Sequence, residues 1–198
     1  MKIIIIGGTG TIGKAVINEL SPRHEIICVG QSHGDIQVDI SDITSIQSMY
    51  AKVNDFDAVI LTTGKVHFGD LKEMQAKEYE IGLKNKLMGQ INVVLEGMKK
   101  INNNGSFTLT SGIINRDPIQ LGTSAAMVNG ALDAFVKSAA IEMPKGIRIN
   151  CVSPTVVTES LDKYAPFFRG FEPASAERTA LAYAKSVEGL QTGQVICL

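Results

Sequence analysis

The stretch Lys2-Ile3-Ile4-Ile5-Ile6-Gly7-Gly8-Thr9-Gly10-Thr11-Ile12-Gly13 decides the fold. An unbroken isoleucine run leaves a strand no polar side, so it must be buried on both faces, as happens in a parallel sheet covered by helices. Glycines follow at once, and a helix-period stretch, Thr11–Leu20, follows them. Gly7 permits a tight turn, Gly10 lets the backbone approach a pyrophosphate, and Gly13 lets the helix pack close on the strand. The unpaired N–H groups and dipole of the helix start then face the anion. At a strand-to-helix junction this turn, with Thr9, Thr11 and Ile12, points to dinucleotide binding.

The same alternation runs outward to the C-terminus. Short blocks rich in β-branched residues recur at Glu25–Val29, Ile36–Val38, Ala58–Leu61, Ser106–Thr110, Ile147–Val152 and Gln194–Cys197. Helical periodicity recurs at Asp42–Lys52, Glu78–Lys100, Ser124–Ile141 and Ser175–Val187. The order βαβα predicts an α/β protein: a Rossmann-type doubly wound parallel sheet with helices on both faces, three layers αβα. A chain of 198 residues fits one domain, and residues 1–198 are expected to form a single NAD(P)-binding unit. Ser21-Pro22, Gly34-Asp35, Asn102-Asn103-Asn104-Gly105 and Pro144-Lys145-Gly146 punctuate the elements as turns. Thr158 to Pro173 is the longest irregular stretch and carries Tyr164, Phe167, Phe168 and Phe171. Two readings fit it, a lid or binding loop and a loop packed on its own domain.

Composition narrows the partners. With 44% hydrophobic residues and 20% charged, the chain can bury a sizeable core. A net charge of -1 argues against a dedicated nucleic-acid surface or polybasic membrane surface, so a small-molecule substrate is expected. No apolar run approaches the roughly 18 residues of a membrane span, and the N-terminus enters a strand instead of a signal peptide, which predicts a cytoplasmic protein. Cys28, Cys151 and Cys197 form no CxxC pair and read as reduced core residues. His24, His33 and His67 show no ligand spacing, so no metal site is expected.

The second-strand tip bears on the choice of dinucleotide. It reads Val29-Gly30-Gln31-Ser32-His33, without the Asp or Glu that holds the ribose hydroxyls of NAD. A carboxylate ~4 Å from a 2′-phosphate would cost on the order of 4 kcal/mol at an effective dielectric of ~20, so its absence permits NADP, with NAD still possible. Gln31, Ser32 and His33 offer hydrogen bonds to a phosphate; an exposed polar turn is the alternative. Asp39-Ile40, after the short third strand, stands where an adenine ring is contacted.

From Met1 to Leu198 the sequence resembles the short-chain dehydrogenase/reductase family. The matching blocks are the glycine turn, Asp39-Ile40, Leu61-Thr62-Thr63-Gly64, Leu109-Thr110-Ser111-Gly112, Arg148-Ile149-Asn150-Cys151-Val152-Ser153-Pro154 with Thr155-Val156-Val157-Thr158, and Thr192-Gly193-Gln194-Val195-Ile196. The resemblance implies that Thr62, Thr63 and Gly64 border the cofactor. It further implies that Pro154, Val156, Val157 and Thr158 line its nicotinamide, and that Ser111 faces the substrate. The glycine spacing looks more like the extended branch of the family. The larger departure is the Tyr-x-x-x-Lys dyad. Asn129-Gly130-Ala131-Leu132 aligns with Lys-Ala-Ala-Leu, which places Asn129 at the lysine and Ala125 at the tyrosine. The family's active-site asparagine aligns with Lys86, although Asn85 stands just before it. Either asparagine and lysine have exchanged helices, giving Ser111, Lys86 and Asn129 as candidate catalytic residues, or Asn85 keeps the family role and Lys86 is a solvated lysine.

Two functions are therefore expected to compete. One is an NAD(P)(H)-dependent oxidoreductase with a degenerate site, acting on a small carbonyl or alcohol. Losing a general acid costs typically 10²–10⁴ in rate, while positioning supplies ~7–11 kcal/mol, so hydride transfer is weakened and not forbidden. The other is a non-catalytic NADP(H)-binding sensor or partner module. Wide apolar arcs on Glu78–Lys100 and Ser124–Ile141 predict a homodimer or homotetramer formed through these helices, which meet their symmetry mates in the family.

Overall fold

The computed structural model describes residues 1–198. Seven parallel strands form one sheet in the order β3-β2-β1-β4-β5-β6-β7. They are β1 (Lys2–Ile6), β2 (Glu25–Gly30), β3 (Ile36–Gln37), β4 (Ala58–Leu61), β5 (Ser106–Thr110), β6 (Arg148–Ser153) and β7 (Val195–Cys197). β1 pairs with β2 on one side and β4 on the other, with Ile5 opposite Cys28 and Ile60. The chain thus winds outward from β1 in one direction and then, from β4, in the other, the doubly wound arrangement expected from the sequence.

Helices cover both faces. They are α1 (Thr11–Leu20), α2 (Ile43–Lys52), α3 (Ala76–Gly82), α4 (Met88–Gly97), α5 (Thr123–Glu142), the short α6 (Leu161–Tyr164) and α7 (Ala176–Glu188). The isoleucine run of β1 divides its side chains between the layers. Ile4 and Ile6 join the core under α2, α4 and α5, whereas Ile3 and Ile5 join the core under α1 and α7. All four are essentially inaccessible, so a polar side chain at any of them would be cut off from water.

Three features differ from the sequence expectation. The helix expected over Glu78–Lys100 starts at Ala76 and ends at Gly97, and it is interrupted by a π-helical turn at Leu83–Leu87. A π turn inserts one extra residue, so the side chains after it are rotated relative to a regular helix. Thr158 to Pro173 contains a 3-10 turn at Thr158–Ser160 and α6, and its base is closed by Thr158 N–H donating to Ala174 O at 2.9 Å and Ala174 N–H donating to Val156 O at 3.1 Å. Of the cysteines, all free, Cys151 is buried and Cys28 partly buried, but Cys197 is exposed at the sheet edge because β7 has no outer neighbour.

Candidate functional site

The point where the winding reverses opens a cavity of about 230 Å³ outside the carboxyl ends of β1, β2 and β4. Gly7, Thr9 and Gly10 line it from the first turn, Gln31 and Ser32 from the second-strand tip, and Thr62 and Thr63 from the end of β4. Asp39 and Ile40 close one side, while His33 does not line it. At the start of α1 no side chain caps the helix, and Thr11, Ile12 and Gly13 N–H make no backbone hydrogen bond. That leaves a cradle of donors for an anion. A Cβ on Gly13 would lie 2.1 Å from Gly7 O and 2.7 Å from Gly8 Cα, so the glycine keeps the helix against the turn itself more than against the strand. The residues present fit a dinucleotide.

Charge within the crevice is divided between Asp39 and Lys65. The Asp39 carboxylate accepts hydrogen bonds from Ser41 N–H at 2.9 Å and Ser41 Oγ at 2.5 Å. These bonds, with a smaller contribution from the Lys65 charge, hold its carboxyl below the ordinary carboxylate range. Lys65 also lines this crevice and, with Gly64, a second cavity of about 460 Å³. The second cavity is walled by Val66, Phe68, Ile119, Leu121, Tyr164 and Phe167. Phe68 and Tyr164 are shared with a third, about 200 Å³, that borders Ile12, Thr155, Val156 and Val157. The three cavities therefore adjoin in series, from the glycine turn to the segment after β6.

Behind this cleft lies a buried polar cluster at the end of β5. Gln90 of α4 clamps Thr110, donating from Nε2 to Thr110 O and accepting from Thr110 N–H, both at 2.9 Å. Thr110 Oγ1 donates to Leu61 O at 2.5 Å and lies 2.6 Å from the Tyr183 hydroxyl. Ser111 N–H donates to Val152 O at 3.0 Å. The strand end is thus held from four directions, and Ser111 with it.

Lys86 and Asn129 meet the same two residues of backbone. Lys86 Nζ donates to Ser111 O at 2.8 Å, and Asn129 Nδ2 donates to Gly112 O at 3.3 Å. Lys86 reaches that carbonyl by passing beneath Gly64, where φ is +147° and an added Cβ would lie 2.6 Å from Lys86 Cγ. Asn85, one position earlier in the π turn, points elsewhere and accepts from Lys65 N–H at 2.7 Å. Burial pushes the Lys86 ammonium down to about 8, opposed by the Cys151 and Asp133 charges, and it pushes the Cys151 thiol up to about 12. Ser111 Oγ, Asn129 Oδ1 and Asp133 Oδ1 are buried without a partner, while Asp133 Oδ2 accepts from Asn115 Nδ2 at 2.7 Å. Ser111, Lys86 and Asn129 line none of the three cavities, and Ala125 is buried.

The sequence reading did not single out Lys65, Gln90, Tyr183, Asn115 or Asp133. Lys65 follows the block Leu61–Gly64 directly, and that adjacency was the available signal. Gln90 and Tyr183 carried none, because a polar residue inside a helical stretch reads as exposed until the helix is docked.

A doubly wound parallel sheet with an anion cradle at its switch point defines a dinucleotide-binding protein of the Rossmann type. A family model described as enoyl-(acyl carrier protein) reductase matches residues 16–193, and the chain belongs to that family, within the short-chain dehydrogenase/reductases. Elsinochrome reductase 1 of Elsinoe fawcettii is 26% identical over 179 residues, 77% of this chain and 67% of the relative. Versicolorin reductase 1 of Dothistroma septosporum is 26% identical over 206 residues, 90% of this chain and 77% of the relative. Among solved structures, the protein lin1944 from Listeria innocua is 50% identical and superposes with a TM-score of 0.98, covering 100% of this chain and 99% of that one. A small-chain dehydrogenase in complex with NADPH is 24% identical with a TM-score of 0.88, covering 100% and 96%. No helix is long and apolar enough to cross a membrane.

Proposed function

We propose that the protein binds NADP(H) along the cleft and acts as an oxidoreductase on a small carbonyl or alcohol held in the 460 Å³ cavity. The observation that carries this reading is the series of adjoining cavities, joined through Lys65 and then through Phe68 and Tyr164. A dinucleotide whose phosphates rest on the first turn of α1 would reach Val156 and Val157 beside the substrate cavity. Gly7, Thr9, Gly10, Thr11, Ile12 and Gly13 hold its phosphates, Asp39 and Ile40 its adenine, and Thr62, Thr63 and Gly64 its middle. Pro154, Val156, Val157 and Thr158 hold its far end. Gln31 and Ser32 present hydrogen-bonding groups with no carboxylate at the tip, which supports NADP(H) over NAD(H). The NADPH named with the solved relative adds to that support.

When bound, the dinucleotide supplies a hydride; the chain's own residues supply position and charge. Lys86 brings a buried ammonium to the Ser111 carbonyl, the charge that the family's dyad lysine would otherwise bring, and Asn129 supplies an amide beside it. Ser111 Oγ is buried beside them with no oxygen or nitrogen partner. A second reading, NADP(H) binding without turnover, is favoured by one observation: these three side chains sit inside the wall of the cleft, with alanine at the phenol position. Fluorescence titration with NADPH and NADH, followed by NADPH consumption over a panel of carbonyls, tests both. Tighter NADPH binding with steady consumption supports the reductase. Binding without consumption supports the sensor, and no binding removes both.

Assembly into a homodimer or homotetramer through α4 and α5 is part of the same reading. Met88, Leu95 and Met127 are exposed on these helices, and Leu95, Met98, Phe135, Ala139 and Met143 line an apolar cleft of about 210 Å³ between them. Apolar surface of this kind marks an interface. A monomer by light scattering at micromolar concentration would overturn it.

A further inference from the structure

The 460 Å³ cavity joins an apolar, aromatic lining to one sign of charge. Its walls come from three separate segments: the chain after β4, the chain before α5, and the strap after β6. Phe68, Tyr164 and Phe167 contribute rings, and Phe68 and Phe167 leave 41% and 40% of their surface for a ligand to cover. A volume in this range suits an organic ligand of moderate size, and aromatic walls reward a flat one, because ring contacts add to the gain from area buried. The strap is held at both ends of its base, by the Val157 and Ala174 bridge and by Ala176 N–H donating to the Glu159 carboxylate at 2.9 Å. Tyr164 and Phe167 thus project from a tethered segment.

The charged lining residues are Lys65 and Lys163, with no aspartate or glutamate among them. In a chain with 20 acidic and 19 basic residues, such one-sidedness around an apolar cavity is local and not a reflection of composition. Neither lysine has a carboxylate within ion-pair distance. Lys163 Nζ instead stands over the Tyr164 ring, 5.1 Å from its centroid, a contact that leaves its charge without a counter-ion. Lys65 also lines the dinucleotide crevice, where phosphate charge competes for it, so Lys163 is the ammonium left for the second ligand.

We infer that this cavity takes a flat, ring-containing substrate bearing an anionic group, a carboxylate or an ionised phenol. The rings lie against Phe68, Tyr164 and Phe167, and the anion faces Lys163. The assignment rests on the reading of the cleft given under Proposed function and adds the chemical class of its substrate. A cationic ligand would meet like charge on both sides, and a neutral one would leave the Lys163 ammonium without a counter-charge.

The test compares 2-naphthoate with its neutral isostere 2-naphthamide, by calorimetry on the full chain with and without NADPH. The naphthoate should bind about tenfold more tightly. Lys163→Met should erase most of that preference and leave the naphthamide affinity within about twofold, whereas Lys163→Arg should retain it. Equal affinity for the two probes, a preference unchanged in Lys163→Met, or acetate binding as tightly as naphthoate would each overturn the assignment. Binding is read without turnover, so the two readings fail separately. A naphthoate preference in a protein that does not bind NADPH leaves the assignment standing and removes the reductase. NADPH oxidation with a neutral aldehyde, in a protein without that preference, does the reverse.

Discussion

At the crevice between β1 and β4 the backbone faces the ligand, whereas at the end of β5 side chains face one another. The crevice is built on a glycine turn, uncapped N–H groups and strand ends, with polar side chains around its rim. The cluster is made of Lys86, Asn129, Gln90 and Tyr183, each reaching across from a different turn or helix to a single strand end. A backbone-built site is broken by adding an atom. A side-chain-built site can be rebuilt by moving a group from one helix to another, which is what the proposed exchange of Lys86 and Asn129 amounts to. The same contrast ranks the consequences of mutation.

The largest effect is expected at the turn. Gly13→Val places branched carbon where even a Cβ would stand 2.1 Å from Gly7 O. The obstruction is backbone, which cannot rotate away, so the cost should reach or exceed the ~3 kcal/mol of a severe overpacking. We predict loss of NADPH binding, with folding itself impaired; calorimetric titration and thermal denaturation check it. Unchanged binding would show that the anion does not rest on this helix.

The second effect tests the cluster's support. Gln90→Leu keeps the volume but leaves Thr110 N–H and Thr110 O, both buried, without their side-chain partner. An orphaned buried group costs about 1–3 kcal/mol, so a loss of about 2–4 kcal/mol in chemical denaturation is expected, below that of the glycine change. A loss under about 0.5 kcal/mol would mean that neighbouring groups replace the glutamine.

The contrast between the two regions also explains what was legible in the sequence. The isoleucine run and the glycine turn are local statements: a strand without a polar side must be covered, and a turn that close to a helix needs residues without Cβ. Both held, and with them the doubly wound parallel sheet. The π turn at Leu83–Leu87 was not legible, because a one-residue insertion into a helix leaves the hydrophobic period almost unchanged while redirecting Asn85 to Lys65 and Lys86 to Ser111. Alignment alone therefore offered both residues for one role, and only the docked helix separates them. Short α6 escaped for a related reason: four residues are too few to show a period.

The third effect tests the proposed exchange of Lys86 and Asn129. Lys86 and Asn129 donate to adjacent carbonyls, those of Ser111 and Gly112. Groups that share one segment couple by ~0.5–3 kcal/mol, while groups more than ~7–10 Å apart add nearly independently. The double change Lys86→Asn with Asn129→Lys should be better tolerated, in NADPH affinity and in stability, than the sum of the single changes. Additive effects would dissolve the pair. Adding Ala125→Tyr to the exchanged background then asks for the missing acid, and a gain in NADPH oxidation would place the protein three side chains from a conventional reductase.

The smallest effect is an alkaline pH dependence that belongs to the cluster. Lys86 titrates near 8 in the folded protein and near its ordinary 10.5 when unfolded, because burial disfavours the ammonium. Below about pH 8 both states hold the proton, and the folded state carries the full cost of burying the charge. Between pH 8 and 10.5 the folded state has released the proton and the unfolded state has not, so stability rises with pH across that window and levels off above it. Cys151 and Asp133 face the same ammonium; with the Cys151 thiol protonated across this window, it is the Asp133 carboxylate that works against the depression. Comparison with Lys86→Met cancels the other titrations: the difference in unfolding free energy between the two proteins should move in favour of wild type by on the order of 1 kcal/mol from pH 7 to pH 9. A flat difference over that range would place the ammonium in water, return Lys86 to the role of a surface lysine, and leave the charge beside Ser111 to be supplied from elsewhere in the cleft.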